Sequence, residues 1–122
     1  FDDAIYASAR LFEILAHSDR PLSEMLSDLP PVVATPEIRV DCPDELKFRI
    51  AERVAEIVRP LAREVIEVDG VRALFDGGWG LVRASNTQPI LVLRFEGKDR
   101  ETVERIRGVM EGAVETARAG TL

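Results

Sequence analysis

The run Arg83-Ala84-Ser85-Asn86-Thr87-Gln88-Pro89 gathers a guanidinium, two hydroxyls and a carboxamide into five residues, and it closes on a proline. That set of donors suits a dianionic phosphate. Arginine offers a planar fork of N–H groups, while Ser, Thr and Asn add hydroxyl, amide and backbone donors. Gly80-Leu81-Val82 before the run and Ile90-Leu91-Val92-Leu93 after it are apolar and β-branched, so the donors sit between two strands. Pro89 cannot join a central ladder and marks the handover to the second strand. The same residue types also make ordinary polar connections, so the run by itself leaves both readings open.

The other residues able to do chemistry are scattered. His17 is the only histidine and Cys42 the only cysteine, in separate regions, so no metal-ligand spacing arises and no internal disulfide can form. His17 falls at a helix end, where it caps a carbonyl or meets solvent. Cys42 alternates with Ile38 and Val40 and reads as a small buried apolar residue. Trp79 reads as a packing residue beside the polar run. Arg72 and Arg94 read as strand-surface charges, with Arg94 on the strand leaving that run.

The elements that position these groups follow from spacing. Residues 2–16 form a helix capped by Asp2 or Asp3, with Ile5, Ala9, Phe12 and Leu15 on one stripe. A short second helix spans 21–28, with Leu22, Met25, Leu26 and Leu29 on its apolar side. Pro30-Pro31 stops it, and 29–36 reads as a linker. Residues 37–42 alternate as a half-buried strand. From Asp44, Ile50, Val54, Ile57 and Leu61 recur at helical spacing, and Pro60 ends or kinks that helix. Strands follow over 65–68, 71–75, 79–82 and 90–95, with Asp69-Gly70 and Asp76-Gly77-Gly78 as turns. Asp99 caps a last helix carrying Val103, Ile106, Met110 and Ala113. The fold class is α+β: a mostly antiparallel four-stranded sheet with two helices packed on one face, preceded by a helical segment.

The 122 residues amount to one domain with a modest core, and a 46% hydrophobic, 31% charged composition is that of a soluble globular chain. A net charge of −6, with no basic block and no exposed aromatic interleaving, argues against nucleic-acid binding. No run is long and apolar enough to span a membrane, and no signal segment opens the chain. A single cysteine fits a reducing cytoplasm. The chain opens on Phe1 rather than Met and reads as a piece of a longer protein.

From Asp69-Gly70-Val71-Arg72 through Gly78-Trp79-Gly80-Leu81-Val82-Arg83-Ala84-Ser85-Asn86-Thr87-Gln88-Pro89 to Arg94-Phe95-Glu96, the sequence resembles the C-terminal, fourth domain of the α-D-phosphohexomutases. It is most similar to the phosphomannomutase/phosphoglucomutase branch. Phe1-Asp2-Asp3-Ala4-Ile5-Tyr6 and the helix after it resemble the tail of that family's third domain, and Thr35-Pro36-Glu37-Ile38 resembles the start of the fourth. The resemblance thus divides the chain into a helical tail of the third domain (1–30), a linker or hinge (31–36) and a C-terminal phosphate-binding domain (37–122). Asn86 favours this branch, because phosphoglucosamine mutases usually carry Gly there. Gln88 departs from the branch pattern, where Thr is common, at a position that contributes backbone more than side chain.

The resemblance implies that Arg83, Ser85, Asn86 and Thr87 bind the phosphate of a phosphosugar. It implies an enzyme that interconverts hexose 1-phosphate and hexose 6-phosphate, of mannose or glucose, through a bisphosphorylated hexose. A phosphoserine and a Mg²⁺ would lie in other domains, and neither a serine in that setting nor an Asp-rich metal motif is found here. On this reading the chain positions substrate and is not catalytic alone. Its partners are the phosphosugar and the remaining domains, with no nucleic acid and no membrane. The competing reading is a stand-alone regulatory or protein-interaction module.

Overall fold

A computed structural model describes residues 2–121. The chain forms two compact units, Phe1–Pro31 and Val32–Leu122. In the first, helix α1 (Ala4–Ala16) begins where the Asp3 carboxylate accepts the Tyr6 N–H at 2.8 Å, an N-cap that satisfies one orphan amide of the first turn. None of its residues is buried, and Ile5, Tyr6 and Phe12 are well exposed. The α-helix expected over 21–28 is instead one 3₁₀ turn, Leu22–Glu24, followed by further turns. The cause is local: the Glu24 carbonyl accepts from the Ser27 hydroxyl at 2.7 Å and from the Arg20 guanidinium, so side chains satisfy the acceptor that a continuing helix would use.

The second unit is an antiparallel sheet with two helices. Its strands are β1 (Val33–Ala34), β2 (Ile38–Asp41), β3 (Glu64–Ile66), β4 (Val71–Phe75), β5 (Gly78–Ala84) and β6 (Ile90–Gly97). The order is β1-β6-β5-β4-β3, with β2 also on β6, and every pairing is antiparallel. The α+β class is as expected, but the described residues form a six-stranded rather than a four-stranded sheet: all five segments expected as strands join it and Val33–Ala34 adds a sixth. Val33–Ala34, inside the expected linker, instead pairs with Gly97 and Glu96. Two valines before Pro36 give no alternation to read, so only the sheet edge reveals them. The strand expected at 65–68 lies at Glu64–Ile66, and Val68 is in the turn and 92% exposed.

Between Ala34, opposite Glu96, and Ile38, opposite Leu93, the outer strand has three residues (Thr35, Pro36, Glu37) against two on β6 (Arg94, Phe95). This is a bulge, placed where Pro36 has no N–H to donate. Thr35 holds both sides together: its N–H donates to the Phe95 carbonyl at 2.9 Å and its Oγ1 accepts the Phe95 N–H at 3.1 Å.

Helices α2 (Asp44–Val58) and α3 (Arg100–Ala119) pack against one face of this sheet. Ile50, Val54 and Val58 of α2 and Ile106 and Met110 of α3 are buried with Val71, Val82, Leu91, Leu93 and Phe95. Each such side chain contributes about 1.5–3 kcal/mol through removal from water. Leu61, expected on the α2 stripe, is 60% exposed, because the helix ends at Val58 ahead of Pro60. Cys42 is buried, as its alternation suggests, and burial pushes its thiol up. Gly80 lets α3 approach, since a Cβ there would come 2.8 Å from Met110 Cγ. The period-2 pattern then sends Trp79, Leu81 and Arg83 to the opposite, helix-free face.

Candidate functional site

Arg83 lies on β5 rather than in the loop. Its neighbours Val82 and Ala84 are buried, and Arg83 itself is half exposed on the helix-free face, opposite Val92. The β5 ladder continues through the Ser85 N–H, which donates to the Ile90 carbonyl at 3.0 Å, so the loop proper is Asn86–Pro89. Asn86, Thr87, Gln88 and Pro89 are all exposed.

The loop is held internally. Ser85 Oγ accepts the N–H groups of Thr87 at 3.3 Å and Gln88 at 3.2 Å, a local turn of the kind Ser favours. The Gln88 carbonyl accepts from the Ile90 N–H at 2.8 Å and from Lys47 Nζ at 3.0 Å. The Pro89 carbonyl accepts the Cys42 N–H at 2.8 Å. Among the described residues, no hydrogen bond engages the side chains of Asn86 or Thr87, so both are free to meet a ligand. Of the four residues expected to bind phosphate, Ser85 thus shapes the loop, while Asn86 and Thr87 project from it and Arg83 stands on the adjoining strand.

The guanidinium of Arg83 donates to Asp69 Oδ2 at 3.2 Å. Asp69 is in the β3–β4 turn, and Gly70 beside it has φ of 75°. Arg83 and Asp69 line an open depression of about 410 Å³ on the helix-free face with Glu37, Leu81, Val92 and Arg94. Glu37, at the bulge, bonds Arg39 at 2.9 Å and Arg94 at 3.0 Å. Those two hydrogen bonds, first Arg39 and then Arg94, hold its carboxyl below the usual carboxylate range.

Trp79 is not beside the loop. It lies opposite Glu96 at the far end of β5, roughly 20 Å from Ser85 at the rise of a strand. There it stacks under Arg72, whose guanidinium carbon is 4.5 Å from the ring centroid. Asp69 is more than a turn residue, and Lys47, within the helix that starts at Asp44, is more than a helix residue. Lys47 carried a signal: it falls on the stripe of Ala51, Val54 and Val58, where a lysine stands out.

Among the described residues, no group of three or more His, Cys, Asp or Glu side chains is placed to hold a metal ion. Among the same residues, no helix is long and apolar enough to cross a membrane.

The family model "Phosphoglucomutase/phosphomannomutase, C-terminal domain" matches residues 37–113. A phosphoglucomutase of Neisseria meningitidis serogroup B is 46% identical over 118 residues, which are 95% of this chain and 25% of that protein. A phosphomannomutase/phosphoglucomutase of Pseudomonas aeruginosa is 44% identical over 109 residues, 89% of this chain and 24% of that protein. The crystal structure of a phosphoglucomutase/phosphomannomutase family protein from Burkholderia thailandensis superposes with a TM-score of 0.77 at 35% identity, covering all of this chain and 25% of that one. The chain therefore spans about a quarter of the length of these relatives. With the matched segment running from the bulge at Glu37 into the middle of α3, this chain belongs to the phosphoglucomutase/phosphomannomutase family and carries its C-terminal domain.

Proposed function

We propose that this chain supplies the substrate-phosphate grip of a phosphohexomutase that interconverts hexose 1-phosphate and hexose 6-phosphate through a bisphosphorylated sugar. The observation that carries this reading is the braced loop. Ser85 and the Gln88 and Pro89 carbonyls fix its shape, which leaves Asn86 and Thr87 exposed on the loop that follows Arg83 and β5. A loop braced in this way has less conformational freedom to lose, which reduces the ordering cost of binding.

In this reading Arg83 provides the charge and the fork, Asn86 and Thr87 provide neutral donors, and Ser85 serves through the turn it closes. The phosphate gripped is the one that is not reacting. Phosphoryl transfer depends on orientation and charge stabilisation, and a fixed far end points the near end at the phosphoserine of another domain. Donors that read only phosphate accept either end of the sugar, as an intermediate that turns around requires. A Mg²⁺ would stabilise the transferring charge. Among the described residues no group of three or more His, Cys, Asp or Glu side chains is placed to hold it. In this reading it and the phosphoserine lie in other domains of the enzyme, and the isolated chain binds without catalysing.

Residues 1–30 are read as the tail of the preceding domain, residues 31–36 as the hinge and residues 37–122 as a domain that closes over the sugar. The test is titration of the chain with glucose 1-phosphate, followed by amide chemical shifts. Shifts centred on residues 83–88 support the grip. Shifts confined to residues outside 80–90 overturn it.

A further inference from the structure

Lys47 is one of the two buried polar side chains of the core, at 4% exposure, and the only buried charged one among the described residues. Burying an ammonium is costly unless it is paired and hydrogen-bonded. Lys47 Nζ has two partners of different kinds. It lies 2.7 Å from Asp44 Oδ1, one turn earlier on α2, and it donates at 3.0 Å to the Gln88 carbonyl of the loop. The second bond spans 41 residues of sequence and joins the first half of α2 to the loop's last turn.

The Gln88 carbonyl does not need this donor for its own satisfaction. It already accepts the Ile90 N–H at 2.8 Å. The bond from Lys47 therefore adds position rather than rescuing an orphan acceptor. Phe48, 5.3 Å from the same Nζ to its ring centroid, covers the ammonium on another side.

We infer that Lys47 is a positioning residue for the phosphate grip: through the Gln88 carbonyl it sets the loop's conformation. This rests on the proposed phosphate-binding role of the loop. Lys47 does not touch the ligand. It acts through Gln88, whose exposed side chain the sequence can vary while its carbonyl stays fixed.

The test compares the wild-type chain with Lys47→Met, which keeps the apolar stem and loses the ammonium, and with Lys47→Arg, which keeps a donor. Each is titrated with glucose 1-phosphate and monitored by loop amides. Wild-type binding at residues 83–88 is the precondition, and its absence overturns the grip itself rather than Lys47 alone. With wild-type binding present, Lys47→Met should weaken affinity roughly tenfold, the scale of one charge-assisted bond. The Thr87 and Gln88 amides of its ligand-free form should shift, and Lys47→Arg should recover part of both. Equal affinity and unmoved loop amides in Lys47→Met overturn the inference. A second measurement needs no variant: in the wild-type chain the Lys47 ammonium protons should exchange more slowly once glucose 1-phosphate is bound, and unchanged exchange overturns the coupling.

Discussion

Gly70 and Arg83 meet through their backbones. A Cβ on Gly70 would fall 2.8 Å from Arg83 Cα and 2.5 Å from the Val82 carbonyl oxygen. Gly70 also has a φ of 75°, a conformation that costs any L side chain. The β3–β4 turn is thus seated directly on β5 at the arginine, and that seating brings the Asp69 carboxylate to the Arg83 guanidinium. The arginine is oriented before any ligand arrives.

Gly70→Ala should therefore do two things at once. Strain and overlap should destabilise the chain by about 1–3 kcal/mol, read as a lower urea midpoint at unchanged slope. The displaced turn should also release Arg83, so glucose 1-phosphate should bind more weakly even at temperatures where the variant is fully folded. A variant as stable as the parent would show that the turn does not press on β5.

Arg83→Ala should lower affinity for glucose 1-phosphate by roughly 10–100-fold, the equivalent of one charge-assisted bond of about 1.5–3 kcal/mol. Arg83→Lys should fall between, because it keeps the charge and loses the planar fork. In a whole mutase carrying this domain, the alanine variant should raise KM while its serine remains open to phosphorylation. Near-normal KM and kcat there would remove Arg83 from the site.

The sequence and the structure agree where a local rule acts alone. Asp99 caps α3, accepting the Thr102 N–H at 2.8 Å, and Val103, Ile106, Met110 and Ala113 are buried as their spacing implies. Asp69-Gly70 makes its turn, and Cys42 is inside. Local rules fall short where a distant partner decides. Val33–Ala34 is a strand only because β6 has an open edge, and the role of Lys47 depends on a carbonyl 41 residues away. Arg83 was legible as chemistry but not as strand, because Arg83-Ala84-Ser85 has the composition of a loop and is held in the ladder by Leu91 and Val92 opposite. Trp79 was misplaced for the converse reason: closeness in sequence says little along a strand that carries it to the other end.

Acid should destabilise the chain, and two carboxylates set the sign. The Thr102 backbone N–H holds the Asp99 carboxyl below its usual range, and the Arg39 and Arg94 hydrogen bonds do the same for Glu37. A group with a lowered folded pKa takes up its proton first in the unfolded chain. Its stabilisation is present above the unfolded value and is lost as pH falls through the folded one, which places the loss below about pH 4–5. Asp99→Asn keeps a good N-cap without the titration. Urea unfolding between pH 7 and pH 3 should show a shallower acid loss in Asp99→Asn than in the parent. Identical slopes would mean that the α3 cap contributes nothing to the pH dependence.

Removing residues 1–31 should leave the second unit folded. Every residue of the hydrophobic core lies at or beyond Cys42, and the sheet takes its first strand from Val33–Ala34. The first unit offers no buried residue in α1, while Ile5, Tyr6 and Phe12 are 86%, 63% and 70% exposed. An apolar stripe that open is suited to a partner, which in a longer mutase would be the rest of the preceding domain. A 32–122 chain should therefore unfold within about 0.5 kcal/mol of the parent, the range of changes remote from a core. It should also self-associate less on sedimentation as concentration rises, because the exposed stripe has gone. Loss of cooperative unfolding in the shortened chain would show that the first unit supports the second, and would move the domain boundary upstream of Val32.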